Sequence, residues 1–267
     1  MEAGPQKEYK MDLGLLGKKV LITGSSQGIG KSIAYSFLEE GADVVITSRK
    51  KRQLDELEAE LRRKYGENRV ISTTCDCSDN NSLYYLNSFI SSRWGLLDIV
   101  VANVGCGVSV SDAIPSDERW VQTWSSNFES ALYTSRIFLP MLEKSNGNLL
   151  FISSITALEA FGAPVDYSTA KTAVNAFAKN IARKVANNVR VNVVAPGNIK
   201  FTDNPWDKKS KSNPKLVKKL IKETVPMNRF GTPDEIADAV VFMCSKRASF
   251  ITGSTLVVDG GQTVKVL

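Results

Sequence analysis

Short apolar runs alternate with longer segments of helical period along this chain. Residues 19–23 (KVLIT), 43–47 (DVVIT), 70–74, 98–102 (DIVVA), 148–153 (NLLFIS), 189–195 (VRVNVVA) and 255–259 are β-branched and apolar. Runs this short and this continuous read as strands buried on both faces. Between them, residues 30–40 place Ile33, Ala34, Phe37 and Leu38 at helical spacing, with Gly41 as a stop. Residues 54–65, 82–94, 117–142, 167–186 and 233–244 also read as helices, the long 117–142 stretch being broken in places. Regular alternation of strand and helix predicts an α/β fold, a doubly wound parallel sheet of about seven strands with helices on both faces. Right-handed crossovers follow.

No internal repeat or linker divides the 267 residues, so one domain is expected over 1–267, with 1–14 as a loose tail and Met11 a plausible start. The longest irregular stretch is 197–214, bracketed by Pro205 and Pro214. Long loops in compact domains are usually lids, and 197–225 is read as a substrate lid.

Composition narrows the chemistry. The apolar fraction is 43%, ordinary for a protein with a core. No run of eighteen apolar residues is present, so no membrane span is expected. The N-terminus is polar and does not read as a secretory signal. The four cysteines, Cys75, Cys77, Cys106 and Cys244, lack metal-site spacing, and no histidine completes a site. No metal is expected, and a reducing cytoplasm fits. The absence of histidine also argues against Ser-His-Asp hydrolysis. Acid–base work near neutral pH must come from Tyr, Lys, Cys, Asp or Glu. The net charge is +6, with much of the excess at 207–211 and 215–222. That cluster reads as a solvated helix or as a basic rim that attracts an anionic substrate or carrier. No nucleic-acid motif accompanies it.

Two motifs carry chemistry. The first is Thr23-Gly24-Ser25-Ser26-Gln27-Gly28-Ile29-Gly30, between the first strand and the first helix. Glycines there let a backbone approach a pyrophosphate, and the helix N-terminus presents free N–H groups. The strand–turn–helix context makes this a dinucleotide site. At the end of the second strand, Ser48-Arg49 and the following Lys50, Lys51 and Arg52 offer positive charge where an acid would bind a free ribose hydroxyl. A 2′-phosphate is favoured, so NADP(H) is expected over NAD(H). The second motif is Tyr167-Ser168-Thr169-Ala170-Lys171. Residues four apart share a helix face, and a lysine charge beside a phenol favours its ionisation.

Together these motifs make the chain resemble the compact short-chain dehydrogenase/reductases, nearest to the 3-oxoacyl-carrier-protein reductase-like group. The resemblance runs from about 16 to about 264. It implies a single Rossmann-type domain and a carbonyl or secondary-alcohol substrate. Gly24 to Gly30 matches its glycine turn. Asp76 matches the acid that meets adenine, beside Cys77. Ala102-Asn103-Val104-Gly105 resembles its asparagine segment with two changes, retaining Asn103 and Gly105. Pro196-Gly197 and the nearby Ile199 match the turn beside the nicotinamide. The resemblance implies catalytic roles for Asn127, Ser154, Tyr167 and Lys171. Ser154 would stabilise the substrate oxygen, and Tyr167 would exchange its proton. Lys171 would lower the tyrosine pKa and hold the ribose. Asn127 would anchor a water leading to solvent.

Substrate choice is expected in 106–114, 155–164 and 197–214, with Phe161, Phe201 and Trp206 as candidate pocket walls. Phe201 stands where the family often has threonine, and Asn148 where acyl-carrier reductases commonly carry a base. Both departures point away from a fatty-acyl substrate and leave a sugar or other polar alcohol equally open. The resemblance further implies a homo-oligomer, tetramer or dimer. The apolar face at Val174, Phe177 and Ile181 fits either such an interface or an internal contact. A catalytically silent dinucleotide sensor or scaffold is the alternative from another class, and a sugar-nucleotide epimerase or dehydratase of the extended type is a third reading.

Overall fold

The computed structural model describes residues 11–108 and 112–266. Seven parallel strands form one sheet in the order β3-β2-β1-β4-β5-β6-β7. They are β1 (Lys19–Ile22), β2 (Asp43–Ser48), β3 (Val70–Thr74), β4 (Ile99–Ala102), β5 (Asn148–Ile152), β6 (Arg190–Pro196) and β7 (Thr255–Val258). Register follows the apolar runs, with Leu21 opposite Val45 on one side and Val100 on the other. Successive residues point to opposite faces. Leu21, Val45 and Val100 therefore join one core layer, and Val20, Ile22, Val44 and Ile46 the other.

The helices are α1 (Gly28–Glu39), α2 (Lys51–Tyr65), α3 (Asn80–Arg93), α4 (Asp117–Trp124), α5 (Ser130–Ser145), α6 (Val165–Val185), α7 (Pro205–Ser212), α8 (Pro214–Thr224) and α9 (Pro233–Cys244). Helices α1, α2 and α9 pack on one face of the sheet. Helices α3, α5 and α6 pack on the other. The expected break in 117–142 is a π-helical turn, Ser125–Glu129, between α4 and α5. Such turns free backbone groups and often lie at functional sites. No helix among the described residues is long and apolar enough to cross a membrane.

Two expectations change. The 197–214 stretch is largely helical. Pro205 and Pro214 open α7 and α8, and the Asn204 and Asn213 side chains accept hydrogen bonds from Asp207 N and Leu216 N. Proline fits the first turn of a helix, where its missing N–H has no intrahelical partner. Residues 1–10 of the expected tail lie outside the described residues. Residues 12 and 13 are tied down: the Asp12 carbonyl accepts from Arg247 Nε at 2.9 Å and the Leu13 carbonyl from Lys246 N at 3.0 Å. Of the two readings left open for the α6 apolar face, the internal contact is present. Val174 is buried, and Phe177 packs edge-on against Phe128 and Phe151 with centroids 6.0 and 5.9 Å away.

Candidate active site

In an open parallel sheet the ligand crevice forms at the C-terminal ends of the strands where the winding reverses. Here that point lies between β1 and β4, and a cleft of about 390 Å³ opens there. The β1–α1 turn supplies Gly24, Ser26, Gln27, Ile29 and Gly30. The ends of β2 and β3 supply Ser48, Arg49, Asp76 and Cys77. The segment after β4 supplies Asn103 and Gly105, and the end of β6 supplies Pro196, Gly197 and Ile199. Ser154, Tyr167 and Lys171 line the same cleft.

The glycine turn is shaped by backbone that side chains would spoil. Gly24 and Gly28 have φ of 63° and 54°, in the left-handed region. A Cβ on Gly30 would stand 2.5 Å from the Gly24 carbonyl and 2.6 Å from Asn103 Nδ2. The Gln27 side chain does not cap α1, and no acid sits in its first turn. The N–H groups at that end are therefore left to a ligand. Asn103 holds the turn in place: its Nδ2 donates to the carbonyls of Thr23 and Gly24 at 2.9 and 3.0 Å. The two departures from the family's asparagine segment leave this clamp intact.

Gly28, expected among the cofactor contacts, does not border the cleft, because Phe201 covers it. A Cβ on Gly28 would stand 2.5 Å from Phe201 Cζ. Trp206 follows, tilted against Phe230 with centroids 5.4 Å apart, so residues 201 and 206 present two aromatic rings to the cleft. The lysines at 208, 209, 211, 215, 218, 219 and 222 are exposed, and none borders the cleft.

At the far end Arg49 Nη1 lies 3.7 Å from Asp76 Oδ2. Asp76 Oδ1 accepts from Ser78 N and Oγ at 3.0 and 2.6 Å. Burial pushes the Asp76 carboxyl up, but Ser78 and Arg49 outweigh it and hold it below the usual range.

Tyr167 and Ser154 border the same cleft. Ser154 Oγ itself accepts from Thr156 N at 3.2 Å, which fixes it at the start of a short 3₁₀ turn. Lys171 is buried, and its Nζ donates to the Ile152 carbonyl at 3.0 Å. The electrostatics run opposite to expectation. Burial pushes the Tyr167 hydroxyl above its ordinary value, and the Ser154 hydroxyl pulls it back only in part. Burial also depresses Lys171 to about 8. Spacing on a helix placed the two residues on one face, but it carries no information on how deeply they are desolvated.

Asn127 is fully buried behind this pair and does not reach the cleft surface. Its Oδ1 accepts from Cys106 N at 3.1 Å, and its Nδ2 donates to Cys106 O at 3.0 Å and Thr123 O at 2.9 Å. The amide thus holds the Cys106 peptide. Cys106 is exposed, and the other three cysteines are buried free thiols. Of the expected 106–114 substrate wall, residues 109–111 lie outside the described residues. Ser126 and Ser130, on the π turn and the start of α5, also border the cleft. Their four-residue spacing was the one signal of this in the sequence.

A family model described as enoyl-(acyl carrier protein) reductase matches residues 24–263. The chain is 34% identical over 255 residues to a 3-oxoacyl-(acyl-carrier-protein) reductase of Chlamydia pneumoniae, covering 95% of this chain and all of that protein. It is 34% identical over 254 residues to glucose 1-dehydrogenase 2 of Bacillus subtilis (strain 168), covering 94% and 96%. Among solved structures, L-sorbose reductase from Gluconobacter frateurii, complexed with NADPH and L-sorbose, superposes with a TM-score of 0.90. It is 32% identical and covers 96% of this chain and all of that one.

Proposed function

This chain belongs to the short-chain dehydrogenase/reductase family, and we propose that it is an NADP(H)-dependent oxidoreductase interconverting a carbonyl and a secondary alcohol. The observation that carries this is the shared cleft: Ser154, Tyr167 and Lys171 border the same space as the glycine turn. The turn fits a pyrophosphate, since a Cβ would fill it at Gly30 and the α1 N-terminus carries no side-chain cap. Its N–H groups would hold the pyrophosphate. Arg49 would hold a 2′-phosphate, Asp76 and Cys77 the adenine, and Lys171 the ribose, with Ile199 beside the nicotinamide. Relatives in complex with NADPH support the choice of coenzyme. Bound there, NADPH supplies the hydride.

The chain's own residues manage the proton. With its pKa raised by burial, Tyr167 keeps its proton near neutral pH and donates it to the substrate oxygen during reduction. Ser154 donates a hydrogen bond to the same oxygen as negative charge develops. Lys171, titrating near 8, is an ammonium at neutral pH and can pass a proton toward the phenol. Asn127 fixes the Cys106 peptide above them. Apart from Lys171, no charged residue borders the substrate end of the cleft among the described residues, which favours a neutral carbonyl compound. The test is NADPH oxidation across a panel of ketones, ketoses and acyl thioesters. Turnover with any class supports the reading. Tight NADPH binding without turnover would leave a silent dinucleotide sensor instead.

A further inference from the structure

Arg119 lies on α4, outside the cleft and 47 residues before Asp166. Its Nε donates to Asp166 Oδ2 at 3.1 Å, and its Nη2 donates to the Val108 carbonyl at 2.7 Å. Asp166 is the residue just before Tyr167, and its side chain is only 1% exposed. Burial pushes its carboxyl up, but Thr123, the Tyr167 amide and Arg119 outweigh that and keep it ionised. Val108 ends the described part of the loop that runs over Tyr167. In that loop a Cβ on Gly107 would stand 3.2 Å from Tyr167 Cε2 and Cζ, so the backbone lies close against the phenol ring. Cys106 is already fastened by Asn127. The stretch over the tyrosine is therefore fastened at both ends.

We propose that Arg119 is a positioning residue: its guanidinium clamps the Gly107–Val108 backbone and the start of α6 together, and so fixes the Tyr167 hydroxyl against the substrate. A planar fork fixes the angle between two acceptors, which a lysine point charge does not. The proposal rests on Tyr167 as the proton donor.

The test is Arg119→Lys, which keeps a positive charge near Asp166 and avoids a buried unpaired carboxylate. The variant should keep the wild-type unfolding temperature and NADPH affinity. Its kcat should fall about 10- to 100-fold, the scale of a small misplacement of a reacting group. An Arg119→Ala variant should regain part of that loss with millimolar guanidinium. A readout independent of turnover is the rate at which a thiol reagent labels Cys106, the one exposed cysteine among the described residues. Labelling should accelerate severalfold in Arg119→Lys. Wild-type kcat and labelling in that variant would overturn the proposal. So would parallel losses of unfolding temperature and NADPH affinity, which would make the role purely structural. Faster labelling in a chain whose wild type reduces no carbonyl would keep the clamp and remove the reaction assigned to Tyr167.

Discussion

The Lys171 ammonium lies 5.9 Å from the centre of the Tyr167 ring, yet its hydrogen bond goes to the Ile152 carbonyl. Lysine and tyrosine thus meet through a cation–π contact rather than a hydrogen bond, and burial governs both. In the proposed mechanism, carbonyl reduction needs the proton on Tyr167 and the ammonium behind it. With Lys171 depressed to about 8, kcat/KM for reduction should fall as pH rises through that value. A profile flat well above it would contradict this assignment.

Lys171 also marks a stability window. Its folded pKa of about 8 lies below the ordinary 10.5, so between those values the unfolded chain binds more protons. Stability from this group therefore rises with pH across that interval, and below it the buried ammonium is a constant destabilising load. Denaturant unfolding of Lys171→Met should lack this rise. It should show stability near neutral pH at least equal to wild type, with turnover lost.

Gly30 has no room for a methyl group, since the Gly24 carbonyl and Asn103 Nδ2 would both be under 3 Å from it. Gly30→Ala should destabilise the fold by about 1–3 kcal/mol, the usual range for overpacking a tight site. NADPH binding should weaken with it. Calorimetric titration and thermal unfolding check both effects.

On the proposed reading, Arg49 decides between coenzymes. Its side chain is largely exposed at the cleft mouth, tied only loosely to Asp76. Arg49→Gln should weaken NADPH by about 10- to 100-fold, matching the roughly 1.5–3 kcal/mol of a hydrogen bond to a charged group. NADH affinity should stay unchanged. Equal loss for both coenzymes would move the 2′-phosphate contact elsewhere.

The strands were legible because buried parallel strands write themselves as unbroken apolar runs such as KVLIT and DIVVA. The cleft was legible because glycine turns and the Tyr-Lys spacing are local. Helices α7 and α8 were not, because Pro205 and Pro214 act equally well as helix breakers and as helix starts, and only the Asn204 and Asn213 caps distinguish the two. Phe201 over Gly28 and Arg119 beside Asp166 join positions far apart in sequence, so no periodicity reveals them. The electrostatic direction at Tyr167 was also hidden, since desolvation depends on what packs around the helix rather than on its own residues.

The most direct measurement compares wild type with Tyr167→Phe for NADPH oxidation on a carbonyl the wild type accepts, alongside NADPH affinity by titration. The account predicts unchanged affinity and a kcat lower by at least ~100-fold, the scale of a lost positioned acid. Near-normal turnover in Tyr167→Phe would contradict it.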